Sequence, residues 1–212
     1  MVLAGGWMMW PLLLCSVVVV GISGERYWTL NPQKIVPGTL LAQIWTLLKQ
    51  GQLDSKKIKI IHDSSPLGQV LAAGLSNSRQ GREVMVESME VAASRVQYDL
   101  ERFLHILSAI ANVAPLLGLL GTVIGTIKIF AVIMVEGGTG NPGVLAGGIS
   151  EALICTATGL AVAIPASLAS RYFYRLVDGF MVTIQQDGIK LVDALHSDRQ
   201  VQHGAESESA SQ

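Results

Sequence analysis

The chain is short of charge. Of 212 residues, 15 are Lys or Arg and 16 are Asp or Glu, 15% in all, with a formal net charge of −1. A soluble domain carries about a quarter charged residues, so this composition points away from one. With no basic cluster and almost no net charge, the chain offers nucleic acid nothing to bind. Cysteine is also scarce. Cys15 and Cys155 are the only two, and both lie in apolar segments. They read better as small buried packing residues than as a disulfide or a metal site. The glycine-rich phosphate loop, the nucleophile elbow and the dinucleotide fingerprint are all missing. No cofactor is expected, and no constellation supports an enzyme. Nothing before Glu25 is charged, so the N-terminal apolar segment lacks the positive start of a secretory signal peptide.

Apolar residues are what the chain has in abundance. They make up 50% of it, and the mean hydropathy is +0.45. They fall in three segments long enough to cross a bilayer, which takes about 20 residues each. The expected fold is all-α: an integral membrane protein with three transmembrane helices and long cytoplasmic helical extensions. Residues 1–24 form the first transmembrane helix, flanked by Trp7 and Trp10 at one end and Tyr27 and Trp28 at the other. Aromatic residues favour the two membrane interfaces. Residues 110–168 supply the second and third helices as an antiparallel hairpin around a turn at 136–142, EGGTGNP.

The intervening residues 25–109 are polar, mixed in charge and read as a helical loop. Asn31-Pro32 and Pro37-Gly38 punctuate its start. Thr39 to Gln50 has helical apolar spacing, and Ser64-Ser65-Pro66 is a helix start. From Arg82 a long helical pattern runs with no internal Gly or Pro until Pro115, with Val84, Val91, Val96, Leu100, Phe103 and Leu107 as its apolar stripe. After the hairpin, residues 169–212 read as a helix, with Tyr172, Leu176, Phe180 and Ile184 at four-residue steps, then a polar disordered tail from about Ser197. Positive residues gather in the 25–109 loop and after Arg171, which places both inside and the N-terminus and hairpin turn outside.

Candidate functional residues lie in the hairpin. Glu151 is the one carboxylate within the third segment, GGISEALICTATGLAVAIPA. A charge at membrane depth costs about 3 kcal/mol on insertion scales, so it marks a partner, a cavity or an ion path. A carboxyl there can hydrogen-bond or relay a proton. At 100° per residue Thr158 shares its face, whereas Thr156 is turned about 140° away. In the second segment, Pro115, Gly118, Thr122 and Gly125 fall on one face, and small residues there let another backbone come close. Pro115, Gly118, Gly125 and Thr158 are candidates for lining a path. Each threonine hydroxyl could instead bond back to its own helix. Lys128 is expected to send its amine toward the interface.

Two stretches, APLLGLLGTVIG at Ala114 to Gly125 and ISEALICTATGLAVAIPA at Ile149 to Ala166, resemble the ExbB/TolQ/MotA proton-channel family. Three spans, a large loop after the first and a short outer hairpin resemble its ExbB and TolQ branches, with ExbB the nearer; the MotA branch has four spans. The resemblance implies a homopentamer in the bacterial inner membrane, enclosing an ExbD-like or TolR-like single-span partner with an aspartate in its span. It implies that the proton-motive force drives protons past that site and works a TonB-like or TolA-like transducer. It carries a proton-pathway role onto Glu151, Thr122 and Thr156. The chain departs from the common pattern at Ile124, often tryptophan, and at Lys128, usually uncharged. A non-conducting membrane scaffold is the alternative outside this class.

Overall fold

A computed structural model describes residues 6–50, 54–136 and 142–209. The described residues form helices and no strand: α1 (Met9–Thr29), α2 (Pro32–Ile35), α3 (Leu40–Lys49), α4 (Ser55–Ser64), α5 (Pro66–Ser76), α6 (Arg82–Glu101), α7 (Leu104–Glu136) and α8 (Pro142–Ser209). Three of them, α1, α7 and α8, contain stretches long and apolar enough to cross a membrane. The all-α, three-span expectation therefore holds. Of the expected turn at 136–142, residues 137–141 lie outside the described residues.

Several boundaries differ from expectation. The first helix begins at Met9 and ends at Thr29 instead of covering 1–24. Gly6, at φ 67°, holds a left-handed turn that no helix runs through. At the far end nothing stops the helix until Asn31-Pro32, where Asn31 leaves the helical region ahead of the proline and caps α2. The long pattern from Arg82 is interrupted at residues 102–103, between α6 and α7, with neither Gly nor Pro present. There the Phe103 ring lies under two guanidinium groups, Arg26 at 4.6 Å and Arg102 at 5.3 Å. The C-terminal helix continues to Ser209, where a disordered tail was expected from Ser197. No proline follows Pro165, and Gln, Glu, Arg and Ala are acceptable helix formers.

The chain divides into two compact units. The first joins the N-terminal segment through Trp28 to residues 102–174. Its core is a seam of residues at alternating three- and four-residue steps. On α7 these are Leu104, Leu107, Ala114, Gly118, Gly121 and Gly125, all buried. On α8 they are Ala152, Cys155, Gly159, Val162 and Ala166, also buried. That spacing keeps one stripe of each helix facing a neighbour. Small residues dominate it, so the backbones approach closely. Met8, Met9, Leu12 and Val19 of the N-terminal segment are buried in the same unit. Trp7, Trp10, Tyr27 and Trp28 stay exposed at the two ends of α1. Arg26 is buried, 2.8 Å from Glu25, over the Phe103 ring.

The second unit joins residues 29–101 to α8 from Arg175 onward. Ser65 caps α5 by accepting from the Gly68 amide at 3.1 Å, as Ser64-Ser65-Pro66 predicts. The α6 core differs from the expected stripe. Met85, Met89, Ala93, Val96 and Leu100 are buried, whereas Val91 is exposed. Met89 reaches its neighbours through glycine: it packs against Gly74 of α5 and Gly188 of α8. On α8 Val177, Phe180, Met181, Ile184, Leu191 and Val192 are buried in this unit. Tyr172, expected on that stripe, is exposed. Arg82 and Asp193 form an exposed ion pair at 3.1 Å.

Candidate functional site

Glu151 sits on α8 nine residues after its start at Pro142, and Lys128 on α7 eight residues before its end at Glu136. At 1.5 Å per residue, both lie roughly 12–14 Å from those helix ends. The antiparallel packing of α7 on α8 brings them together. Lys128 Nζ is 3.0 Å from Glu151 Oε1, with the lysine side chain 52% and the glutamate 30% exposed within this single chain. Lys128, expected to send its amine toward the interface, donates to the Glu151 carboxylate. Neither charge is alone at that depth, which removes much of the cost that either would carry unpaired.

A third element closes on the carboxylate. Gly6 lies so near Glu151 Oε1 that a Cβ at this position would collide with it. Its positive φ disfavours any L side chain in the same place. Below the pair the seam tightens. At Gly125 a Cβ would meet Ala152 Cβ at 2.9 Å, at Gly121 it would run into the Cys155 side chain, and at Gly118 it would meet Thr156 Cα at 3.1 Å. Gly159 faces the Ala114 carbonyl and the Gly118 backbone across the same seam. Gly118 and Gly125, candidates for lining a path, are therefore buried in the contact between α7 and α8 of one chain.

The threonines divide. Thr156 Oγ1 donates to the Gly118 carbonyl at 3.0 Å, linking the two helices. Thr122 Oγ1 donates to Leu119 O at 2.6 Å and Thr158 Oγ1 to Ile154 O at 2.8 Å, each within its own helix. Pro115 is half-buried. The structure thus joins Glu151 to Lys128 and Thr156 to Gly118, and records no bond between Glu151 and Thr122, Thr156 or Thr158 among the described residues. Among those residues there is also no group of His, Cys, Asp and Glu able to hold a metal ion.

Sequence reasoning missed Lys128 as Glu151's partner, and missed Gly6, Gly121 and Gly159. A signal for the first was present. Lys128 stands eleven residues before Thr139 and Glu151 twelve after it, so a hairpin turning there puts them at one depth. Gly6 had no such signal, because its neighbour is set by packing and not by spacing.

Comparison with known proteins gives a consistent result. The MotA/TolQ/ExbB proton channel family matches residues 62–186. An ExbB-like biopolymer transport protein of Synechocystis sp. is 33% identical over 181 residues, covering 82% of this chain and 69% of that protein. The biopolymer transport protein exbB1 of Vibrio cholerae is 27% identical over 183 residues, covering 85% of this chain and 80% of that protein. A biopolymer transport protein ExbB of Aquifex aeolicus is 36% identical over 107 residues, covering 50% of this chain and 71% of that protein.

Proposed function

The chain belongs to the MotA/TolQ/ExbB proton channel family, and from that premise we propose that it is an ExbB-like subunit of the bacterial inner membrane in which Glu151 stands on the proton path. The observation that carries the proposal is the pairing of Glu151 with Lys128 inside the hairpin. A carboxylate at this depth has a proton-exchanging group's chemistry, and ionisable residues within membrane spans mark proton relays and ion pathways. Thr156 serves this site as a register pin between the two helices, through its bond to Gly118. Thr122, one turn from Gly118 and Gly125, supplies a second hydroxyl near the seam.

In this reading the subunit assembles as a homopentamer around an ExbD-like single-span partner whose span carries an aspartate. The proton-motive force then drives work on a TonB-like transducer; a TolQ-like role with TolR-like and TolA-like partners is the neighbouring alternative. The N-terminus is periplasmic, and residues 25–109 and the C-terminus are cytoplasmic, as the distribution of positive residues supports.

The test is Glu151→Gln. Glutamine nearly keeps the volume and can still accept from Lys128, but it cannot exchange a proton. Growth or uptake that depends on the proton-motive force should fall at least tenfold, with the complex still recovered by pull-down. Normal transduction at normal complex levels would remove Glu151 from the mechanism and favour a non-conducting scaffold.

A further inference from the structure

A carboxyl at membrane depth has two ways to be rid of its charge. It takes up a proton, or it acquires a resident cation. Among the described residues, the charged and titratable groups recorded against Glu151 are Lys128 from α7, at 3.0 Å, and Cys155 one turn along α8. From the described part of the N-terminal segment, the backbone of Gly6 comes against the carboxylate. A lysine ammonium is the stronger cation source of the two, since a thiol supplies no positive charge.

We propose that Lys128 is the resident counter-cation of Glu151: it stands where a proton would otherwise sit, so the site rests ionised and ready to accept. This rests on the proton-path reading above. The charge balance follows directly. At rest the carboxylate and the ammonium sum to zero. A proton arriving on Glu151 Oε1 or Oε2 turns the carboxylate into a carboxyl and breaks the ion pair, while Lys128 keeps its proton. The site then carries one positive charge, all of it on the lysine. Lys128 is half exposed and has a four-carbon stem, so its ammonium is free to leave the carboxyl once the attraction is gone. Proton arrival thereby becomes a side-chain displacement on the face of α7.

The experiment is infrared spectroscopy of the purified full-length chain in lipid at neutral pH, with 13C-labelled glutamate. Glu151→Gln identifies the Glu151 contribution by its loss. The wild-type protein and Lys128→Arg should show no protonated-carboxyl band from Glu151. Lys128→Met should show one, and Lys128→Met combined with Glu151→Gln should not. A Glu151 acid band in the wild type would overturn the proposal by itself, whether or not the variants fold. A Lys128→Met protein that elutes normally and has no acid band would overturn it too. None of these spectra depends on transport. If Glu151→Gln supports full transduction while the spectra behave as expected, the channel reading falls and the counter-cation stands.

Discussion

Gly159→Ala should separate the two hairpin helices, and the size of the effect follows from the seam. The added methyl would lie 2.7 Å from the Ala114 carbonyl oxygen, 3.1 Å from Gly118 Cα and 3.2 Å from Gly118 N. All three are backbone atoms, so no side chain can turn aside. Ordinary contact begins at 3.4 Å, so the helices must part by about 0.7 Å there. Thr156 sits one turn away and bonds Gly118 O at 3.0 Å. Stretching that bond by the same amount takes it beyond hydrogen-bonding range. Overpacking costs about 1–3 kcal/mol. The lost interhelical bond adds about 0.6 kcal/mol, a typical value in membranes. Alanine's better helix propensity returns up to about 0.8 kcal/mol. The net is a loss of roughly 1–3 kcal/mol by the same estimates. Gly179 on the same helix is the control, because a Cβ there meets nothing within 4 Å. Gly179→Ala should gain up to about 0.8 kcal/mol. The assay is denaturation by SDS titration in mixed micelles, with helicity as the readout. A Gly159→Ala midpoint equal to wild type, or an equal fall for Gly179→Ala, would refute the seam argument.

Two further outcomes follow from the same contacts. Gly6→Ala combines a disfavoured φ with a collision on Glu151 Oε1, so it should cost about 1–2 kcal/mol and undock the N-terminal turn; faster proteolysis ahead of Met9 would report this, and an unchanged rate would contradict it. Thr156→Val removes only the bond to Gly118, so stability should fall by about 0.6 kcal/mol and transduction several-fold less than in Glu151→Gln; equal loss in both would give Thr156 a direct part in proton movement.

Much of the fold was legible because its causes are local. Long apolar segments, Ser65 ahead of Pro66, and Asn31 ahead of Pro32 each act within a few residues of themselves. Helix ends were less legible wherever a tertiary contact set them. The break at residues 102–103 has no Gly or Pro to announce it, and the Phe103 ring under Arg26 and Arg102 is seen only once the helices are packed. The α6 stripe went astray for a related reason. Val96 and Leu100 are buried as the apolar spacing predicts, but Val91 is exposed and Met85 and Met89 face the core, where the flexible Met89 fills the space that Gly74 and Gly188 leave.

The candidate site divides along the same line. Sequence alone determined that Glu151 is a carboxylate in an apolar span and that small residues crowd the span before it, because composition sets the cost of a charge in lipid. Only the tertiary structure decided which groups meet. It took Gly118 and Gly125 into a helix seam, because small residues are consumed by the first backbone that reaches them. It turned Thr122 and Thr158 onto their own helices, and Thr156 across to Gly118, because a hydroxyl bonds whichever carbonyl lies within about 3 Å. It gave Lys128 to Glu151, because two opposite charges at one depth in a hairpin have no better partner than each other.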